Sequence, residues 1–134
     1  MKKFKGLFGA IAVLVWVYFQ FIYEPYGTML EFNATQVYYT SNVTENEATK
    51  LGEFLIREEF ADGVEKTIQL DKENDIYQFR MVAIDTVINN EEWTPVFKSF
   101  LSDIKIDLFS DSNVELHLCD DNLETVQVVK FEAN

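Results

Sequence analysis

From Gly6 to Tyr23 the chain runs through eighteen residues of which Gln20 is the only strongly polar one, and this run constrains everything after it. As a helix it spans roughly 27 Å, close to the hydrocarbon thickness of a bilayer. The run is apolar around its whole circumference, which suits lipid better than one side of a protein core. Trp16, Tyr18, Tyr23 and Tyr26 gather toward its outer end, where amphipathic rings favour the membrane interface. Pro25 and Gly27 then stop the helix. A cleaved signal peptide would also open on a basic stretch. Its cleavage site needs small residues after the apolar run, and here the run ends Phe19-Gln20-Phe21-Ile22-Tyr23-Glu24-Pro25-Tyr26, bulky throughout. The expectation is therefore an uncleaved transmembrane anchor over residues 1–26 and one domain over residues 27–134.

Lys2, Lys3 and Lys5 precede the span, and no base follows it until Lys50. The positive-inside bias places the N-terminus in the cytoplasm and the C-terminal domain outside. Those lysines give the first 23 residues +3; with −12 for the whole chain, −15 is left for the remainder. So acidic a domain repels a phosphate backbone, because nucleic-acid affinity rests on Lys and Arg displacing counterions. Nucleic acid is excluded as a partner, and anionic headgroups repel the domain in the same way. A basic protein partner is compatible with this field. Cys119 is the only cysteine, so no intramolecular disulfide holds the fold.

Periodicity then predicts the elements. Glu31 to Tyr39 reads as a strand rich in β-branched and aromatic residues. Thr44 with Glu47 forms a capping box before a helix bearing Ala48, Leu51, Phe54 and Leu55 on one stripe, with Asp62-Gly63 as its stop. Lys66 to Asp71 and Ile76 to Ile84 alternate as strands around a polar turn, with Tyr77, Phe79, Met81 and Ala83 on one face. A second helix starts between Asn90 and Pro95 and carries Phe97, Phe100, Leu101, Ile104 and Leu108. Val114–Cys119 and Glu124–Phe131 read as two final strands. The resulting expectation is an α+β domain with a ferredoxin-like β-α-β-β-α-β antiparallel sheet and an extra C-terminal hairpin strand.

The segments VYYTSNVTENEATKLGEFL, KTIQLDKENDIYQFRMV and VELHLCDDNLE resemble a domain family of uncharacterised bacterial proteins, often found downstream of membrane spans. The resemblance covers residues 37–122. It implies a bacterial envelope setting and no assigned activity, cofactor or site.

Candidate sites are few. Asp71, Glu73 and Asp75 alternate as a calcium loop begins, but the positions that an EF-hand needs as Gly and Glu are Ile76 and Val82. Glu115, His117 and Cys119 share one strand face beside Asp120 and Asp121, with no second His or Cys to complete a zinc site. A thiolate–imidazole pair needs opposed groups, whereas residues two apart on a strand point in parallel. Asn33-Ala34-Thr35 and Asn42-Val43-Thr44 match the N-glycosylation pattern, which carries nothing in a bacterial setting. Glu58-Glu59, Glu91-Glu92 and Asp120-Asp121 are sequence neighbours, not carboxylates opposed across a cleft. No phosphate loop, nucleophile elbow or dinucleotide fingerprint occurs.

These observations lead to the expectation of a non-enzymatic, membrane-anchored interaction module. It sits on the extracytoplasmic side of a bacterial inner membrane, with no catalytic residue, cofactor or metal. It serves an envelope assembly, meeting a protein partner through a sheet face or an exposed strand edge. The alternative is a small-ligand sensor or hydrolase with a pocket near His117 and Cys119.

Overall fold

The computed structural model describes residues 26–130. Residues 1–25 of the expected anchor over 1–26 lie outside the described residues. Among those described, no helix is long and apolar enough to cross a membrane.

Thr28–Phe32 (β1) and Thr35–Tyr39 (β2) form an antiparallel hairpin where a single strand was expected. Asn33 and Ala34 both take positive φ, 49° and 72°, the geometry of a two-residue type I′ turn. Asn33 also donates its Nδ2 to the Ala61 carbonyl at 2.9 Å, tying the turn to the loop beyond the first helix. That helix, α1, covers Glu45–Arg57 and starts on the expected capping box: Glu47 N donates to Thr44 Oγ1 at 3.1 Å, and Thr44 N donates to Glu47 Oε1 at 2.9 Å. It ends before the Asp62-Gly63 stop, because Glu59 turns left-handed at φ 63°.

Lys66–Glu73 (β3) and Ile76–Val82 (β4) make a second tight hairpin, with Asn74 and Asp75 again both at positive φ. A short helix, Asp85–Ile88 (α2), and a 3-10 turn, Glu91–Trp93, precede α3, Thr94–Leu108, which has Pro95 in its first turn. Asn113–Cys119 (β5) and Thr125–Lys130 (β6) complete the described chain.

One six-stranded sheet results, with the strands in chain order from β1 to β6. This corrects the ferredoxin-like expectation. In that fold a further strand separates the two strands of each β-α-β unit, and the sheet is antiparallel throughout. Here β2 lies directly beside β3 and β4 directly beside β5, and both pairs are parallel. The helices α1 and α3 are the two crossovers, as parallel neighbours require. Both pack on one face, with Phe54 of α1 and Phe100 of α3 in contact at 6.1 Å between ring centroids and Arg57 3.7 Å from Asp107. The chain advances one way across the sheet, but the β2/β3 pair runs opposite to the β4/β5 pair. Two helices on the same face therefore give crossovers of opposite hand, a departure from the strong right-handed preference.

The core lies between the sheet and the helices. Leu70, Phe79, Leu116 and Val129 are cross-strand partners in one buried row, and Val37, Ile68, Met81 and Leu118 form the next. Against this surface α1 presses Ala48, Leu51, Phe54 and Leu55, and α3 presses Phe97, Leu101 and Ile104. At Gly52 the approach is closest, since a Cβ there would fall 2.2 Å from the Phe32 ring.

Glu47 joins three elements. Beyond capping α1 it accepts a hydrogen bond from the Tyr77 hydroxyl on β4, and Tyr77 stacks on Phe109, just past α3, at 4.0 Å. The hydrogen bond to Glu47 pushes the Tyr77 phenol up to about 12. Burial alone would raise the Glu47 carboxyl, but the bonds from Tyr77 and Thr44 outweigh it and hold the group below its ordinary value. Asp71 behaves likewise: burial opposes ionisation, and hydrogen bonds from Thr40, the Lys72 amide and Asn42 win.

Two predictions follow from this packing. Gly52→Ala should lower stability by about 1–3 kcal/mol in urea unfolding through overpacking, although alanine is about 1 kcal/mol better than glycine in a helix. A neutral or stabilising result would mean that the Phe32 ring yields freely. The pH profile should fall on both sides. The lowered carboxylates contribute stability above the ordinary carboxyl range, and it is lost as pH falls through their folded values. The Tyr77 contribution is complete below about 10 and fades as pH rises through about 12. In unfolding scans, Glu47→Gln should flatten the acid limb and Tyr77→Phe the alkaline limb.

Candidate functional site

The face bearing Tyr77, Phe79 and Met81 is the one that the helices cover, which leaves the opposite face as the open one. There Gln78, Arg80, Glu115, His117 and Thr125 come together from β4, β5 and β6. Arg80 Nη1 donates to Gln78 Oε1 at 3.2 Å and lies 3.3 Å from His117 Nδ1, while Nη2 donates to the Leu123 carbonyl at 2.6 Å. His117 Nδ1 also meets Thr125 Oγ1 at 2.9 Å, and Nε2 meets Glu115 Oε1 at 3.1 Å. A guanidinium only donates, so Nδ1 accepts, and Nε2–H donates to the carboxylate. Each polar atom of the imidazole is thereby engaged inside the protein.

His117 lies on the face that the helices leave open, yet it is only 7% exposed. The loop from Asp120 to Glu124 explains this, because it folds back and delivers the Leu123 carbonyl to Arg80. Asp120 Oδ1 holds that loop by accepting from the Asn122 and Glu124 amides at 2.9 and 3.0 Å. Cys119 is fully buried and its Sγ donates weakly to the His117 carbonyl at 3.6 Å. Burial pushes its thiol up, against the pull of the Arg80 charge. The thiolate that nucleophilic chemistry requires is thus disfavoured. His117 and Cys119 are neighbours on one face, as the alternation predicts, but they do not point at each other across a cleft.

The remaining sequence candidates have structural duties. Asp71 anchors Thr40 and Asn42, and Asn74 and Asp75 form the β3–β4 turn. Among the described residues no three His, Cys, Asp or Glu side chains converge as a metal site. In the two glycosylation-like motifs, Thr35 is fully buried, the Asn33 amide is committed to Ala61, and the Asn42 amide donates to Asp71 at 3.2 Å.

The clefts open elsewhere. One lies where the described chain begins, between Tyr26, Tyr39 and Gln69. Another, of about 420 Å³, is mostly apolar and is lined by Phe60, Lys66, Met81, Ala83, Ile84 and Val87. Neither His117 nor Cys119 lines these two. The apolar groove sits at the sheet end where β3 starts and β4 and β5 finish. Its lining carries one of the most exposed aliphatic side chains of the domain, Ile84 at 68%. Tyr26 and Lys130, the two ends of the described chain, lie toward the other end, where β1 begins and β6 finishes. Sequence reasoning missed this groove. It placed Ile84 at the end of a strand, as a β-branched residue suggests, whereas β4 stops at Val82 and Asp85 opens a short helix.

Residues 29–130 match the model of the AF_1994_N family, described as a family N-terminal domain. The chain belongs to this family. The match takes in β1 to β6 and extends beyond the segments that carry the sequence resemblance; the family is one of unknown function. No curated protein and no solved structure matches the chain.

For this family member the polar cluster predicts structural, not chemical, variants. Cys119→Ser should cost at most about 1–2 kcal/mol. His117→Gln should cost more than a surface change, about 1–3 kcal/mol, because Arg80, Glu115 and Thr125 lose a partner. Thiol-reagent kinetics provides the check on burial. Cys119 should react many times more slowly in the folded chain than in denaturant, and equal rates would return it to consideration as a reactive group.

Proposed function

We propose that the chain is a membrane-anchored, extracytoplasmic interaction module that serves a protein assembly and carries out no chemistry of its own. The observation that supports this reading is the exposed apolar groove around Met81, Ala83 and Ile84, at the end of the sheet away from Tyr26. Solvent-facing aliphatic side chains around a concavity are the usual mark of a binding surface. The lysine-flanked apolar run before Glu24 supplies the anchor and the orientation. A domain tethered through Tyr26 then holds its groove away from the bilayer, where a partner has access to it. The resemblance to bacterial proteins points to the inner membrane and an envelope assembly as the setting. The His117–Cys119 strand gives the sensor or hydrolase alternative little support, because its polar groups bond internally and its thiol is buried.

Location and partner are tested together in intact cells. Protease added to spheroplasts should digest residues beyond Tyr26 and spare Lys2 to Lys5, and membrane-extracted protein should keep the mass of the whole chain. A photo-crosslinker in place of Ile84 should give a protein adduct, while one in place of Asn74, at the opposite sheet end, should not. Protease resistance in spheroplasts, or a product starting near Glu24, would overturn the anchored reading.

A further inference from the structure

We infer that the groove receives a basic protein segment, which inserts one aliphatic or aromatic side chain among Met81, Ala83, Ile84 and Val87. This deepens the interaction-module reading, and rests on it, by naming the chemistry of the partner. The first support is shape. The cavity of about 420 Å³ has room for a large apolar side chain, and Phe60 and Met81 form part of its wall. Ile84, in its lining, is 68% exposed, and Ala83 and Val87 beside it are half-buried. Covering them removes apolar surface from water, the main driving term in association.

The second support is charge. Glu65 lines the groove, and Glu59 and Asp85 adjoin its Phe60 and Ile84 in the chain; all three are exposed, and among the described residues no ion pair joins them to a cation. The one base in the lining, Lys66, is already committed. Its Nζ donates to Asp62 Oδ1 at 2.6 Å and to the Phe60 carbonyl at 2.8 Å. Arg57, at the end of α1, is drawn toward Glu58 and Asp107. The rim is therefore acidic and unneutralised around an apolar centre. Lysines or arginines beside an apolar anchor match it, and the field steers such a segment inward.

The same charges argue against other occupants. A second copy of the chain would bring an equally acidic rim against this one, and like charges brought together cost free energy. Anionic lipid is repelled for the same reason. The groove's place at the sheet end away from Tyr26 and Lys130 leaves it accessible while the domain is tethered.

The test uses the full chain in detergent micelles, labelled for NMR, and two synthetic peptides. Both carry lysine and arginine on each side of a central position, which is leucine in one and serine in the other. The leucine peptide should shift the signals of Met81, Ala83, Ile84 and Val87 to saturation. The serine peptide should bind about tenfold more weakly, the loss expected for one deleted apolar anchor. Ile84→Ser should weaken the leucine peptide similarly without loss of fold, since the side chain is already in solvent. Glu65→Gln with Asp85→Asn should weaken it several-fold at low salt, and Glu73→Gln at the other end should not. Equal binding of the two peptides, or shifts spread over the whole acidic surface, would overturn the proposal as simple Coulomb attraction. Concentration-dependent dimers in sedimentation that vanish with Ile84→Ser would overturn it in favour of a second copy. These outcomes are independent of membrane orientation, which the protease experiment reads separately.

Discussion

The helices cover one face of the sheet only, and most of the architecture answers to that constraint. Two parallel strand pairs each need a long crossover, and both crossovers come down on the same side. The rows through Phe79 and Met81 can therefore be continuous and apolar from β2 to β5. The opposite rows must satisfy themselves with polar groups, and they do so through Gln78, Arg80, Glu115, His117 and Thr125. Glu47 and Tyr77 then fasten the N-terminal end of α1 to the sheet, close to where α3 finishes.

Much of this was legible in the residues. The capping box at Thr44 and Glu47, the stripes of both long helices, and the alternation of the strands are local signals, and local physics realised them. What was not legible depended on backbone choices that few residue types announce. Asn33-Ala34 lacks the glycine that usually marks a type I′ turn, so the hairpin was hidden inside one apparent strand. The order of strands in the sheet was equally hidden, since period-two alternation says which face a residue takes but not which strand lies beside it.

The same distinction holds for the candidate sites. Alternation placed His117 and Cys119 on one face correctly, but exposure depends on the distant loop at Leu123, which the strand pattern cannot report. The groove is assembled from residues around the ends of α1, β3 and β4, and no short motif connects them. Its acidic rim was visible only as part of a domain-wide excess. The arrangement that sets Glu65 among the apolar residues of the cavity appears only after folding.

The chain-order arrangement of the strands also bears on how quickly the native state is reached. Every strand has its neighbours in the sheet immediately before or after it in the sequence. No pairing has to wait for the first and last strands to meet, so each closure involves a hairpin or one helical excursion. The entropy of closing a loop rises with its length, and chains rich in nearby pairings cross the folding barrier sooner than sheets that interleave remote strands. Three hairpins, β1–β2, β3–β4 and β5–β6, can form locally, and the two helical excursions then join the outer ones to the middle one. A nascent chain emerging residue by residue could begin this growth before β6 had been made.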